Sequence, residues 1–313
     1  CANGIYLLVN SDAATIQNCI ASSNTVGISI DSTVNSTISG NTANFNTFYG
    51  INLGMGTSGN VVSGNTANSN LVLGIGLVTN TYTIVSGNTA TGNSTSGISV
   101  VNGARNIVHS NKASLNLGKG IVLSATSYNI VRNNSVRQNV QTGILIGWSD
   151  SNSVIQNDLA ENDTGLRIEN SSINNLITKN NFSNNNVGHI SNIAVTAQIL
   201  TRNWWGATDE VDITSRFGDT INAFRPYRLG TVDTAPGADT TSPHPPVNVV
   251  IDTPSGGKIT LTWTVPTINE ETNGGAVGFS GVKVYRMRNI TDTTHWANAL
   301  VWTAGAVDTS WTD

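Results

Sequence analysis

Hydrophobic and polar positions recur along this chain in blocks of about 23 residues. Each block opens on Gly-Ile-x-hydrophobic or a near variant, with its glycine at Gly4, Gly27, Gly50, Gly74, Gly97, Gly120, Gly143, Gly165 and Gly188. Within the motif the apolar residues alternate, which is strand period. One inward set runs Ile5, Ile28, Ile51, Ile75, Ile98, Ile121, Ile144 and Leu166; a second runs Leu7, Ile30, Leu53, Leu77, Val100, Leu123, Ile146 and Ile168. A second marker keeps the same beat, an aliphatic residue three positions before an asparagine. Cys19 fills the first slot, followed by Asn41, Asn65, Asn88, Asn111, Asn134, Asn157, Asn180 and Asn203. Five positions further on come Asn24, Asn46, Asn70, Asn93, Asn116, Asn139, Asn162 and Asn185. No window carries ten residues of helical period, so a fixed beat in the twenties predicts a β-solenoid.

The expected fold is all-β: a right-handed parallel β-helix of about nine coils, followed by a small C-terminal β-sandwich module. Coils spaced at the interstrand distance would make a rod on the order of 43 Å long. The asparagines should mark tight corners, because Asn tolerates left-handed backbone. Stacked amides can also donate and accept along the axis, so both columns are expected to form hydrogen-bonded ladders.

Composition narrows the partners. Charged residues are 11% and the net charge is −4, with Asp12 and Asp31 the sole charges among residues 1–100. Without a basic patch, nucleic acid is not an expected partner. No apolar run is long enough to span a bilayer, so membrane insertion is not expected. Cys1 and Cys19 fall in different columns and are not expected to pair. Few charges with abundant Asn, Thr, Ser and Gly suit an extracellular or cell-surface protein.

Residues 1–206 read as the solenoid and 207–233 as its C-terminal cap. In the ninth block His189 and Ser191 take the inward positions, and the tryptophans of Asn203-Trp204-Trp205-Gly206 are expected to cover the open end of the core. The Pro- and Thr-rich stretch 234–246 is a linker. Residues 247–313 alternate as strands, among them Lys258–Pro266 with Trp263 inward and Gly281–Asn289.

The repeat units, such as that running from Asn152 to Gly188, resemble the Asn-rich carbohydrate-binding and sugar-hydrolase repeats of the pectate-lyase-like superfamily. The Asn203–Gly206 motif is similar to one that closes many microbial surface β-helices. The segments around Pro246, Trp263 and Tyr285 resemble the first half of a fibronectin type III domain. Such a sandwich needs about seven strands and four or five are legible here. The module is therefore expected to be incomplete, the chain being a piece of a longer one or of an assembly that completes it.

The superfamily resemblance implies polysaccharide chemistry, so catalysis is the first function to test. A glycoside hydrolase needs two carboxylates roughly 5 to 9.5 Å apart, yet Asp150, Asp158, Glu161, Asp163 and Glu169 fall in different columns. His109 and Arg132 share an outward column and are the catalytic candidates for the alternative, a polysaccharide lyase or glycoside hydrolase whose active site lies there or outside these residues; no catalytic residue is assigned. No metal site is expected, since the histidines share no column, the methionines are far apart, and soft donors do not gather. No cofactor is expected. One outward column stands out: Tyr82, Arg105 and Tyr128 in successive coils, with Trp148 one coil further. Aromatic faces at such spacing suit sugar rings, although the three could simply stack on one another. The reading is a noncatalytic exported β-helix with a structural, adhesive or glycan-contacting role, its partners a polysaccharide or copies of itself in an extracellular assembly or filament.

Overall fold

The computed structural model describes residues 2–194, 198, 200–207, 210–218, 224, 227–228, 231, 247–252, 259–264, 283–285, 300–303 and 309–312. The chain divides into two compact units, Cys1–Ala238 and Asp239–Asp313. The first is an all-β parallel solenoid. Nine strands stack in sequence order into one sheet, from Asn3–Leu7 through Val26–Ile30, Tyr49–Leu53, Leu73–Val78, Ser96–Val101, Lys119–Ser124, Thr142–Gly147 and Thr164–Glu169 to Gly188–Asn192. Eight three-residue strands, from Thr15–Gln17 to Leu176–Thr178, form a second sheet. A third sheet is regular only between Ser135–Arg137, Asp158–Ala160 and Asn181–Ser183. Earlier coils supply single bridges instead, such as Thr66 with Thr89.

The inward sets are those of the alternation. Ile28 through Leu166 and Ile30 through Ile168 are all fully buried, while Ile5 and Leu7 at the first coil are partly covered. The second sheet contributes Ile16, Ile38, Val62, Val85, Val108, Val131, Val154 and Ile177 to the same core. Burying a column of aliphatics in every coil is what drives stacking, since no coil has a core of its own.

The glycine column has a steric cause. A Cβ on Gly97 would lie 2.9 Å from the carbonyl oxygen of Gly120, 2.9 Å from that of Ala90 and 2.9 Å from the Asn116 amide nitrogen. The next coil leaves room for a hydrogen and nothing larger. Glycine is therefore required by close backbone approach, and the asparagine it faces belongs to the second ladder.

Left-handed backbone does not sit on the ladder asparagines themselves, contrary to the sequence expectation. It sits on the residue before each one: Gly40, Gly64, Gly87, Ser110, Asn133, Gln156, Lys179 and Arg202 precede the first ladder, and Phe45, Ser69, Gly92, Leu115, Gln138, Glu161 and Asn184 precede the second, all at positive φ. One left-handed residue makes the corner and points out; the asparagine after it turns in.

The ninth coil also departs from expectation. Leu166 pairs with Ile190 and Ile168 with Asn192, so the register slips by one residue and Ser191 lies beside outward Arg167. Ile190 keeps the core position and is fully buried, and His189 is buried as well. The end of the core is closed by an aromatic stack. Phe182 stacks on Trp205 at 4.7 Å, Trp205 meets Phe217 at 4.9 Å, Phe217 meets Phe224 at 5.3 Å, and Phe224 stacks on Tyr227 at 6.0 Å. Trp205 is the covering tryptophan; Trp204 is half-buried and bridges to Asn181. Beyond them Glu210–Ser215 makes one short helix, and the Gly218 amide donates to the Ile190 carbonyl at the last strand.

In the second unit Val247–Asp252, Thr260–Thr264 and Ser310–Thr312 form an antiparallel sheet, and Lys283–Tyr285 pairs with Leu300–Thr303. Trp263 is buried there.

Candidate functional site

Three interior ladders run up the solenoid. In the first, the Asn134 side-chain amide donates to the Asn157 side-chain oxygen at 2.9 Å and to the Val108 carbonyl at 3.0 Å. Its own oxygen accepts from the Asn111 backbone amide at 2.9 Å and from the Asn111 side chain at 3.0 Å. The pattern repeats from Asn41 through Asn65, Asn88, Asn111, Asn134, Asn157 and Asn180 to Asn203. The second ladder behaves alike from Asn46 to Asn185. A third escaped the sequence reading and runs in two stretches, Ser36 to Asn60 and then Thr83 through Asn106, Asn129, Asn152 and Asn175 to Gln198, each member two residues before an inward aliphatic. The signal was a column that is always polar; its mixed identities hid it.

The residue before each member of that third ladder from Ser36 to Asn175 is left-handed, and three of these residues are the candidates Tyr82 (φ 54), Arg105 (φ 57) and Tyr128 (φ 60). A bulky side chain in this backbone region is uncommon and costs about 1–2 kcal/mol, against little for glycine or asparagine. The same corner elsewhere uses Asn35, Gly59, Ser151 and Asn174. All three candidates project outward, Tyr82 and Tyr128 being 59% and 58% exposed. The Arg105 guanidinium lies 5.9 Å from the Tyr82 ring centre and 5.3 Å from that of Tyr128. Trp148 (φ 49) is 61% exposed at a different left-handed corner, immediately after Thr142–Gly147. It stands beside the Tyr–Arg–Tyr column, not in it.

His109 pairs with Arg132 across neighbouring short strands, and its Nδ1 lies 3.1 Å from the Ser110 hydroxyl. Partial burial, then the Arg132 charge, lowers its pKa. No carboxylate of the described residues forms an ion pair with either residue. His189 is more strongly perturbed: burial first, then Arg216, lowers its pKa to about 4, partly opposed by a hydrogen bond to the Trp205 backbone. Its Nδ1 is 3.2 Å from the Asn185 amide at the end of the second ladder.

A cleft on the outer face of the nine-stranded sheet joins residues that the column argument kept apart. It measures about 410 Å³ and is lined by Lys119, Gln141, Thr142, Leu145, Asp163, Thr164, Arg167 and Glu169. Asp163 and Glu169 flank opposite ends of one strand. Counting only vertical columns cannot bring two such residues to one site.

A family model described as periplasmic copper-binding protein (NosD) matches residues 1–71 and 55–215. The chain belongs to the NosD family. Among solved structures, a variant of the periplasmic alginate epimerase AlgG is 16% identical, with a TM-score of 0.50 over 70% of this chain and 72% of that one. The A-module of mannuronan C-5 epimerase AlgE4 from Azotobacter vinelandii is 15% identical, with a TM-score of 0.49 over 66% of this chain; the match spans 62% of the A-module. The Dettilon tailspike protein is 14% identical, with a TM-score of 0.48 over 92% of this chain and 67% of that one. At these identities the likeness is one of fold. No curated protein matches. Among the described residues no helix is long and apolar enough to cross a membrane.

The NosD description makes soft donors the test for copper. The Cys19 thiol donates to the Gln17 carbonyl at 3.3 Å, Met55 is 70% exposed in another coil, His109 faces out of the second sheet, and His189 is buried beside the cap. No three of His, Cys, Asp and Glu come together among the described residues. Cys1, His244, Met287 and His295 lie outside the described residues. The described donors do not fit a copper centre, and no chemistry is assigned to one.

Proposed function

We propose that this NosD-family chain is a noncatalytic exported β-helix whose outer corner contacts a glycan, in the periplasm or at the cell surface. The observation that supports this most is the Tyr82–Arg105–Tyr128 column. Three exposed side chains occupy a strained backbone position that Gly or Asn fills at lower cost. Aromatic faces one coil apart, about 4.8 Å, offer stacking surfaces to sugar rings, and Arg105 adds donors for hydroxyls. Trp148 extends the aromatic surface round the next corner. The family description places relatives in the periplasm, and epimerase and tailspike neighbours share the scaffold.

The second reading is a polysaccharide lyase centred on His109 and Arg132. A neutral imidazole of lowered pKa beside a guanidinium suits a base with a charge-neutralising partner. Residues 247–313, read as a fibronectin type III-like module, would serve adhesion or assembly into a filament alongside the solenoid. The test is binding to immobilised polysaccharides together with a product assay on the same polymers. Retention that falls at least tenfold in Tyr82→Ala/Tyr128→Ala, with no product formed, supports the glycan-contact reading. Product formation that disappears in His109→Ala replaces it with the lyase.

A further inference from the structure

We infer that His109 and Arg132 form an anion seat on the second sheet, that the glycan held at the Tyr82–Arg105–Tyr128 corner is therefore an acidic one, and that the grip tightens as pH falls. The seat adds a class of ligand and a pH response to that corner, and so rests on the glycan-contact reading of it. In each coil the corner residue and the residues two and four further on face out. They are Arg105, Ile107 and His109, then Tyr128, Ile130 and Arg132 in the next coil, with Val108 and Val131 turned into the core between them. His109 and Arg132 are register partners on adjacent parallel strands, and Ser86 is the partner on the other side. Four residues of strand are about 13 Å, so a glycan must run for more than one ring to touch both column and seat. Between the two lies an aliphatic strip, Ile84 and Ile107 half-buried and Ile130 37% exposed. Sugar C–H faces pack on such a strip.

Charge gives the seat its selectivity. Residues 32–149 hold no Asp or Glu but five Arg or Lys, a segregation that the net charge of −4 hides. Arg137 is paired with Asp158 and Glu161, and Lys119 binds Gln141 on the long sheet. Arg105 and Arg132 form no ion pair among the described residues. Arg132 donates to the Asn133 side-chain oxygen at 3.2 Å, which engages one of a guanidinium's five N–H groups. Asp150, the next carboxylate along the chain, accepts the Ile173 amide at 2.8 Å. A guanidinium beside an imidazole, with no counter-charge on either neighbouring strand, suits an oxyanion, which Arg binds through two parallel N–H groups.

The pH response comes from His109. The Ser110 hydroxyl lies 3.1 Å from Nδ1; donating there, it leaves the ring hydrogen on Nε2 as a donor to the anion. Burial, then the Arg132 charge, holds the His109 pKa below its ordinary value. Arg132 is the charge that faces it across the sheet, Ser86 on the other side is uncharged, and Lys112 past the Asn111 corner is again a cation. An anion seated between His109 and Arg132 offsets the Arg132 charge and raises that pKa. Binding then takes up a proton, so affinity rises as pH falls.

The experiment is calorimetry and histidine-resolved NMR on the full chain, with a neutral oligosaccharide, an oligogalacturonate and a sulfated oligosaccharide of equal length. Both acidic probes are expected to bind about tenfold more tightly than the neutral one, the worth of one charge-assisted bond. Arg132→Gln should erase that preference and leave neutral binding and the melting temperature unchanged, whereas Lys119→Gln on the long sheet should change nothing. The sulfated probe keeps its charge throughout, so its affinity should rise about threefold from about pH 7.5 to about pH 5, with the His109 titration moved upward in the complex. His109→Gln should make that affinity independent of pH. Equal or tighter binding of the neutral probe overturns the seat, as does an acidic preference that survives Arg132→Gln or a flat pH profile with an unmoved His109 titration. In each of these cases the corner reading stands if binding still falls in Tyr82→Ala/Tyr128→Ala. Absence of binding by every probe overturns seat and corner together. A product whose formation stops in His109→Gln replaces the seat with the lyase.

Discussion

Two aromatic stacks in the solenoid have opposite surroundings. Phe182, Trp205, Phe217 and Phe224 pile over the end of the core, with Trp205 fully buried. Tyr82, Arg105 and Tyr128 pile at an outer corner, all three exposed, on left-handed backbone. The first removes apolar surface from water where the last coil would expose a strand edge. The second hides little surface and carries strain, while an exposed cation–π contact returns only about 0.5–1 kcal/mol. Stability accounts for the first stack. It does not account for the second, which supports the proposal that the outer column is a contact surface.

The comparison breaks most sharply at Trp205. Trp205→Ala should cost about 3–5 kcal/mol by cavity formation, read as a lower urea midpoint for the solenoid unit. An unchanged midpoint would remove the cap stack from the stability account. Asn134→Leu should cost about 3 kcal/mol, because Asn111 loses both its acceptor contacts and the Val108 carbonyl loses a donor. Next comes acid. His189 has its pKa lowered to about 4 in the folded chain, against an unfolded value of about 6.5. The unfolded state therefore takes up a proton first as pH falls. The associated stability is complete above about pH 6.5 and is lost between about pH 6.5 and pH 4, an effect of about 3 kcal/mol. His189→Gln should flatten this part of the pH–stability curve, and a wild-type curve flat over that interval would refute the assignment. The smallest effect belongs to the outer stack. Tyr82→Asn should change stability by under about 1 kcal/mol, or raise it slightly, since relief of left-handed strain offsets the lost cation–π contact. A large loss in thermal melting would make the column structural after all.

Much of the fold was legible because a solenoid turns long-range contacts into a local beat. Ile98 meets Ile75 and Ile121 since each lies 23 residues away, so periodicity alone pairs them. The identical asparagines of two ladders were legible for the same reason. The third ladder was not, because Ser36, Thr83 and Gln198 share polarity but not identity with its asparagines. The candidate corner was readable as a repeated bulky position. Its left-handed backbone was not, since Tyr and Arg are poor signals for a conformation associated with Gly and Asn.

The amino-acid sequence by itself determined the coil length, the inward aliphatics, the glycine column and the order of strands in the long sheet. It could do so because each depends on a residue type repeated at one spacing. Tertiary structure decided what falls outside the period. The slip that puts Ile190 opposite Leu166 follows from fitting the last coil to the cap, where Phe217 bridges to Ile190. The cleft joins Lys119, Gln141, Asp163 and Arg167 from three coils, neighbours only once the strands and their turns are folded side by side. A period records which residues stack; it holds no information on which side chains lean toward one another across the face of a sheet.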